Sequence, residues 1–130
     1  MIGERITTGS PFEAMAGYSR AVVDGDLVYI SGTTGYDSKK KCYPADVKDQ
    51  AVLAFSIIEA VLHEAGSKLE NMIRIRVYVA SREEFEEIKP IIKAKCEAAS
   101  PANTTIICEL AEEDMRVEFE VTAKTNKQND

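Results

Sequence analysis

A chain of 130 residues with 45% hydrophobic and 29% charged side chains suits one ordinary globular domain, 1–130, with a sizeable core. Acidic residues outnumber basic ones 22 to 16, for a formal charge of −6, which argues against nucleic acid or an anionic lipid surface as partner. No apolar run reaches the roughly 18 residues of a membrane span, and MIGERITTGS lacks the apolar core of a signal peptide, so the expected location is cytoplasmic.

In chain order, Ala21-Val22-Val23-Asp24-Gly25-Asp26-Leu27-Val28-Tyr29-Ile30 reads as a hairpin on an Asp-Gly turn, ending at Ser31-Gly32. From Asp46 to Ala65 apolar residues fall at 47, 51, 54, 55, 58, 62 and 65, one stripe of a helix with Asp46 as N-cap and Gly66 just past its end. Met72 to Ala80 alternates as a half-buried strand, with Ile73, Ile75, Val77 and Val79 on one face and Arg74, Arg76 and Tyr78 on the other. Ser81-Arg82-Glu83-Glu84 is a capping box. Pro90 predicts a break, with a short helical piece through Ile88 and a longer helix from Pro90 to Ala98 or Ala99.

Two strands close the chain. One covers Thr104 to Leu110, with Ile106 and Cys108 toward the core and Thr105 away from it. The other covers Arg116 to Lys124, with Val117, Phe119, Val121 and Ala123 on one face and Glu118, Glu120 and Thr122 on the other. The polar residues 124–130 read as a frayed tail.

The order strand, hairpin, helix, strand, helix, strand, strand predicts an α+β two-layer sandwich with both main helices on one sheet face. The second face carries Tyr29, Arg74, Arg76, Tyr78, Glu118 and Glu120. It either meets water or packs against another subunit, and the pattern leaves both open.

Cys42, Cys96 and Cys108 are odd in number and lack CxxC spacing, so they are read as reduced thiols rather than a disulfide framework or zinc site. The single histidine, His63, falls near a helix end, where a cation suits the dipole. No metal centre or histidine-based triad is expected.

Six segments carry a resemblance. They are Ala16-Gly17-Tyr18-Ser19-Arg20-Ala21, Leu27-Val28-Tyr29-Ile30-Ser31-Gly32, Glu64-Ala65-Gly66, Ile75-Arg76-Val77-Tyr78-Val79, Pro101-Ala102 and Val117-Glu118-Phe119-Glu120-Val121-Thr122-Ala123. In this order, over about residues 5 to 124, the chain resembles the YjgF/RidA family, also called L-PSP or UK114. The resemblance implies a chorismate-mutase-like fold with a mixed sheet, and a homotrimer with ligand clefts between subunits. It also implies cofactor-free hydrolysis of reactive enamines and imines such as 2-aminoacrylate to 2-oxo acids and ammonia. Some members are described instead as endoribonucleases, a minor alternative that the acidic balance disfavours.

Carried over position by position, the resemblance makes Glu118 the catalytic carboxylate that orients water, and Tyr18 and Ser31 substrate-binding residues. Fifteen positions before that glutamate the deaminase branch has an arginine, where this chain has Asn103, and Thr105 stands where a cysteine is often found. An arginine there grips a carboxylate with two charge-assisted bonds. At about 1.5–3 kcal/mol per bond, its loss costs on the order of 10² in affinity. The chain thus resembles the subgroups lacking this arginine.

Each candidate also has a plain structural reading: Glu118 paired with Arg74 or Arg76, Tyr18 packed, Ser31 in a turn, Asn103 capping a strand. Arg74 and Arg76 are either structural or a replacement cation. The function expected is hydrolysis of a small C=N compound other than a carboxylate-gripped 2-imino acid. The alternative is a non-catalytic small-molecule-binding trimer.

Overall fold

A computed structural model describes residues 1–126. In chain order the elements are β1 (Glu4–Ile6), α1 (Pro11–Ala16), β2 (Ala21–Asp24), β3 (Leu27–Thr34), α2 (Val47–Glu64), β4 (Met72–Val79), α3 (Arg82–Cys96), β5 (Ala102–Ile107) and β6 (Val117–Lys124). Among the described residues the sheet has six strands in the order β1-β2-β3-β6-β4-β5, with β4 and β5 the parallel pair. This is the mixed-sheet α+β architecture expected.

The hairpin forms with Asp24 opposite Leu27, so its turn residues are Gly25 and Asp26, with Gly25 at φ 63°. A positive φ at the first turn position suits glycine. β3 does not stop at Ser31-Gly32 but runs on to Thr34, and its register against β6 slips between Ile30 and Thr33.

Helix α2 follows its apolar stripe. Asp46 Oδ1 accepts from the Lys48 amide at 2.8 Å, and Val47, Ala51, Ala54, Phe55, Ile58, Val61 and Leu62 are buried. Phe55 meets Phe119 of β6 with ring centroids 4.4 Å apart. Burying one such ring is worth about 1.5–3 kcal/mol, so this contact locks helix to sheet. Gly35 permits the close approach of helix and strand end, since a Cβ there would lie 2.5 Å from Gln50 Cα.

Three expectations are corrected. Helix α3 is continuous through Pro90. Proline removes one hydrogen bond, but Pro90 and Glu86 face solvent, where water can satisfy the Glu86 carbonyl, while Ile88 is fully buried. In β4, Ile73 is 45% exposed and Met72 buried, because the pairing with β6 shifts between Met72 and Arg74. In β5, the parallel register Ile75↔Asn103, Val77↔Thr105 and Val79↔Ile107 aligns Asn103, Thr105 and Ile107 with the buried face of β4. Ile106 is therefore turned outward and 43% exposed. Cys108 lies beyond the strand end, its amide bonded to Val79 O at 3.0 Å.

The Thr125 amide donates to Asp26 O at 2.8 Å and that of Asn126 to Gly66 O at 2.7 Å. The rest of the tail expected to fray, 127–130, lies outside the described residues. His63 is exposed in the last turn of α2. Among the described residues no helix is long and apolar enough to cross a membrane, and no acidic, cysteine or histidine cluster could hold a metal.

Candidate active-site cleft

The site is built where β3 slips. Ser31 and Gly32 together face a single step of β6, a bulge. Glu118, two residues beyond, folds its carboxyl over Gly32: a Cβ at Gly32 would lie 2.8 Å from Glu118 Cδ. Glycine at the bulge thus makes the niche for the carboxylate.

The opposite wall comes from α1. Ser10 caps its start by accepting from the Phe12 amide, and Gly17 ends it at φ 74°, with the Tyr18 amide returning to Glu13 O at 3.0 Å. That left-handed glycine turns the chain back so that Tyr18 and Arg20 run past the bulge. Tyr18 is 39% exposed, whereas Arg20 is only 7% exposed.

Between these walls lies a cavity of about 690 Å³, lined mainly by apolar groups. Tyr18, Arg20, Gly32 and Glu118 line one part of it; Phe12 and Met15 of α1, Tyr36, and Ile57 and Val61 of α2 supply apolar surface, and Thr8, Thr34 and Glu64 add further polar groups. The rings of Phe12 and Tyr36 meet edge to face at 5.2 Å, as do those of Tyr36 and Tyr43. Tyr43 Oη donates to Glu112 Oε1 at 2.9 Å, and burial together with that carboxylate pushes its pKa well above the usual tyrosine value. The buried Gln50 side chain ties together the loop before α2, which carries Tyr36, and the loop before β6, which carries Met115: its Nε2 donates to Pro44 O at 2.8 Å and Asp114 O at 2.9 Å, and its Oε1 accepts from the Arg116 amide at 2.9 Å.

Burial raises the pKa of Glu118 above the usual carboxylate value; Arg20 opposes the rise and Glu120 adds to it. Arg20 Nη1 donates to Gly32 O at 3.2 Å and Thr33 Oγ1 at 3.3 Å, and the guanidinium lies 5.6 Å from the Tyr18 ring centre. Its Nε is 3.7 Å from Glu13 Oε2, an oxygen already accepting from Thr8 Oγ1 at 2.6 Å. Chemically this is a carboxyl poised to exchange a proton, beside one cation and an aromatic ring, in an enclosure able to hold a small organic molecule.

Of the residues singled out in the sequence, Glu118 and Tyr18 share the cavity. Ser31 does not line it; its Oγ donates to Ser19 O at 2.7 Å, tying β3 to the segment that carries Tyr18. Asn103 and Thr105 sit outside the cavity on the edge strand β5, with Thr105 Oγ1 donating to Asn103 Oδ1 at 2.8 Å. Arg76 pairs with Glu120 at 2.9 Å, Tyr78 Oη donates to the same carboxylate at 3.1 Å, and neither Arg74 nor Arg76 lines the cavity. Sequence reasoning passed over Arg20, although Tyr18-Ser19-Arg20 placed it at the strand spacing of the tyrosine.

The family model described as endoribonuclease L-PSP matches residues 8–125. The chain belongs to this family. Among its curated relatives, a Dermatophagoides farinae protein named 2-iminobutanoate/2-iminopropanoate deaminase is 27% identical over 104 residues, 79% of this chain and 81% of its own. A Bos taurus protein of the same name is 27% identical over 124 residues, 95% of this chain and 90% of its own. A crystal structure of a Mycobacterium tuberculosis member of the YjgF/YER057c/UK114 family superposes with a TM-score of 0.84 at 30% identity, covering 94% of this chain and 98% of its own. The resemblance carried by the six sequence segments is thereby confirmed at the level of family and fold.

Proposed function

We propose that this protein is a cofactor-free hydrolase of a small reactive imine or enamine, working as a cytoplasmic homotrimer. The observation that carries the reading is the half-buried Glu118 carboxyl, held over Gly32 in a cavity it shares with Tyr18, with its pKa raised by burial. The deaminase names of the mite and bovine relatives support it.

In this mechanism ionised Glu118 takes a proton from water as the water oxygen bonds to the carbon of a protonated C=N group, giving a carbinolamine. The proton then passes to nitrogen; as the C–N bond breaks and the C=O bond forms, the hydroxyl proton returns to Glu118, which passes it to the departing ammonia. The balance is R₂C=NH₂⁺ + H₂O → R₂C=O + NH₄⁺, with no redox change. Tyr18 walls the planar substrate. Ser31 holds the Tyr18 segment in place, and Asn103 and Thr105 of a neighbouring copy complete the cleft from their exposed edge. Asn103 brings an amide and no charge, so that edge gives a 2-imino acid no grip on its carboxylate.

The test is ammonia release from imines generated in situ by an amino-acid oxidase, with Glu118→Gln beside the wild type. Loss of the enzymatic excess over the spontaneous rate is expected in the variant; an unaffected variant would remove Glu118 from the mechanism. The second reading, a non-catalytic binding trimer, is favoured by the uncharged Asn103. It predicts that ligands raise the melting temperature while no imine is turned over by the wild type.

A further inference from the structure

The sheet face away from the helices carries two carboxylates side by side. On β6 the period of two puts Glu118 and Glu120 on one face, about 6.6 Å apart along the strand. From there their side chains part. Glu118 turns toward β3 and lies over Gly32. Glu120 turns toward β4, where Arg76 Nη1 donates to its Oε2 at 2.9 Å and Tyr78 Oη donates to its Oε1 at 3.1 Å. Each oxygen of Glu120 has its own donor.

This clamp adjoins Glu118. The antiparallel register sets Tyr78 of β4 opposite Glu118 and Arg76 opposite Glu120, and directly opposed side chains start about 4.5–5.5 Å apart. One tyrosine thus stands beside the first carboxylate while bonding the second. Burial, and then the Glu120 carboxylate, push the Tyr78 pKa up, so its hydroxyl stays a donor.

Holding β4 to β6 does not require the clamp. The backbone ladder already joins the two strands, and Val77 and Phe119 beneath it are fully buried. An ion pair whose side chains are 43% and 37% exposed adds little stability of its own. What the clamp does change is charge. Two carboxylates this close repel, and an ionised Glu120 left unpaired would hold the proton on Glu118. The other cations around Glu118 have carboxylates of their own: Arg20 faces Glu13, and Arg116, just before β6, is bonded to Glu84. Tyr18, Tyr36 and Glu64 share its cavity and bring no positive charge.

We propose that Arg76 is a positioning residue for Glu118, acting through the doubly held Glu120: it cancels the charge of the neighbouring carboxylate and so lets Glu118 serve as a base near neutral pH. This deepens the hydrolase reading and rests on its assignment of Glu118 as the base. Burial is the main cause that raises the Glu118 pKa, and the charge of Glu120 adds to the rise even with Arg76 bound to it. Without Arg76 that addition grows.

The test follows two readouts, the acid limb of the pH–rate profile for ammonia release from imines and the titration of the Glu118 carboxyl by carbon-13 NMR. The resonance is identified by its absence from Glu118→Gln. Arg76→Gln leaves Glu120 unpaired and should move both readouts up by about half a pH unit, while Glu120→Gln leaves Arg76 unpaired and should move both down by about as much. The double variant removes both charges together and should return both readouts to the wild-type position. Arg76→Lys, which keeps the charge, should stay there too. Because water reaches the pair, the shifts should shrink in salt of about 1 M.

A slower reaction with the limb and the carboxyl unmoved in both single variants would make the clamp structural only and overturn the proposal. Shifts in the same direction in both would overturn it as well. A carboxyl that moves as expected in a protein that turns over no imine keeps the coupling of Arg76 to Glu118 and removes the hydrolase. Turnover with a limb indifferent to both substitutions keeps the hydrolase and removes Arg76 from it.

Discussion

The middle and one edge of the sheet hold their polar groups in opposite ways. At the β3–β6 bulge, in the middle, Arg20 and Glu118 are charged groups withdrawn from water, and keeping them there takes a left-handed glycine, a bulge and a glycine without room for a Cβ. At the β5 edge, Asn103 is neutral and exposed, with its hydroxyl partner two residues away. Removing water from a charge makes its strength depend on its surroundings, while a neutral amide in water is nearly indifferent to them. Chemistry is expected in the middle and contact with another molecule at the edge.

The largest effect that would break this contrast belongs to Glu118. Glu118→Gln is expected to cut imine hydrolysis by about 10² or more, the usual weight of a positioned base, measured as initial ammonia release. The same substitution should raise the melting temperature at neutral pH. A carboxyl whose folded pKa exceeds its unfolded one favours folding only below the unfolded value, and that advantage is lost as pH rises through the folded pKa. At neutral pH the ionised group is therefore a cost, which glutamine removes. A lower melting temperature there would contradict the burial argument.

Gly32→Ala comes next. The new methyl would strike the Glu118 carboxyl, the far end of a flexible side chain, so the chain should still fold while the carboxyl moves. A fall of roughly 10-fold in turnover with a stability change under about 1 kcal/mol is expected; unchanged turnover would show that the position of the carboxyl over Gly32 is immaterial.

Glu84 offers a comparison away from the cleft. Arg116 donates to it from Nε at 2.8 Å and from Nη2, and Ser81 Oγ donates at 2.8 Å, which hold its pKa below the usual carboxylate value. Since Arg116 is itself about a third exposed, Glu84→Gln should cost only about 1 kcal/mol at pH 7. A depressed folded pKa gives stability above the unfolded value that is lost as pH falls through the folded one. Wild type and variant should therefore converge in acid, as urea titrations at several pH values would reveal.

Asn103→Ala should have the smallest effect, within about 0.5 kcal/mol on chain stability. If the exposed edge meets a second copy, its effect will appear instead in the assembly state or in ligand affinity, read by sedimentation and titration.

How much of this was legible in the sequence depended on whether the cause was local. Helix α2 was readable because its stripe, its Asp46 cap and Gly66 all lie within one segment. The facing of Glu118 was readable from strict alternation along β6. Pro90 misled because a proline reads as a break unless its face is known, and that face is set by packing against the rest of the fold. The facing of β5 failed because Asn-Thr-Thr-Ile-Ile-Cys has no polar alternation, and its phase is imposed by the parallel partner β4, nearly thirty residues earlier in the chain. Arg20 was visible as a letter but not as a buried cation, since its enclosure depends on Gly32 and Thr33 from the next strand and on Glu13 from α1.

Gln50 has a kinetic consequence. Its one amide is bonded to Pro44 in the loop before α2 and to Asp114 and Arg116 in the loop before β6, the loops that bring Tyr36 and Met115 to the cavity. Neither loop can swing away without breaking a bond at the same group, so the two are expected to open as one cooperative unit. Admission of a ligand then becomes a single gated event with one rate, and the exchange of the Arg116 amide hydrogen with deuterium would keep its time.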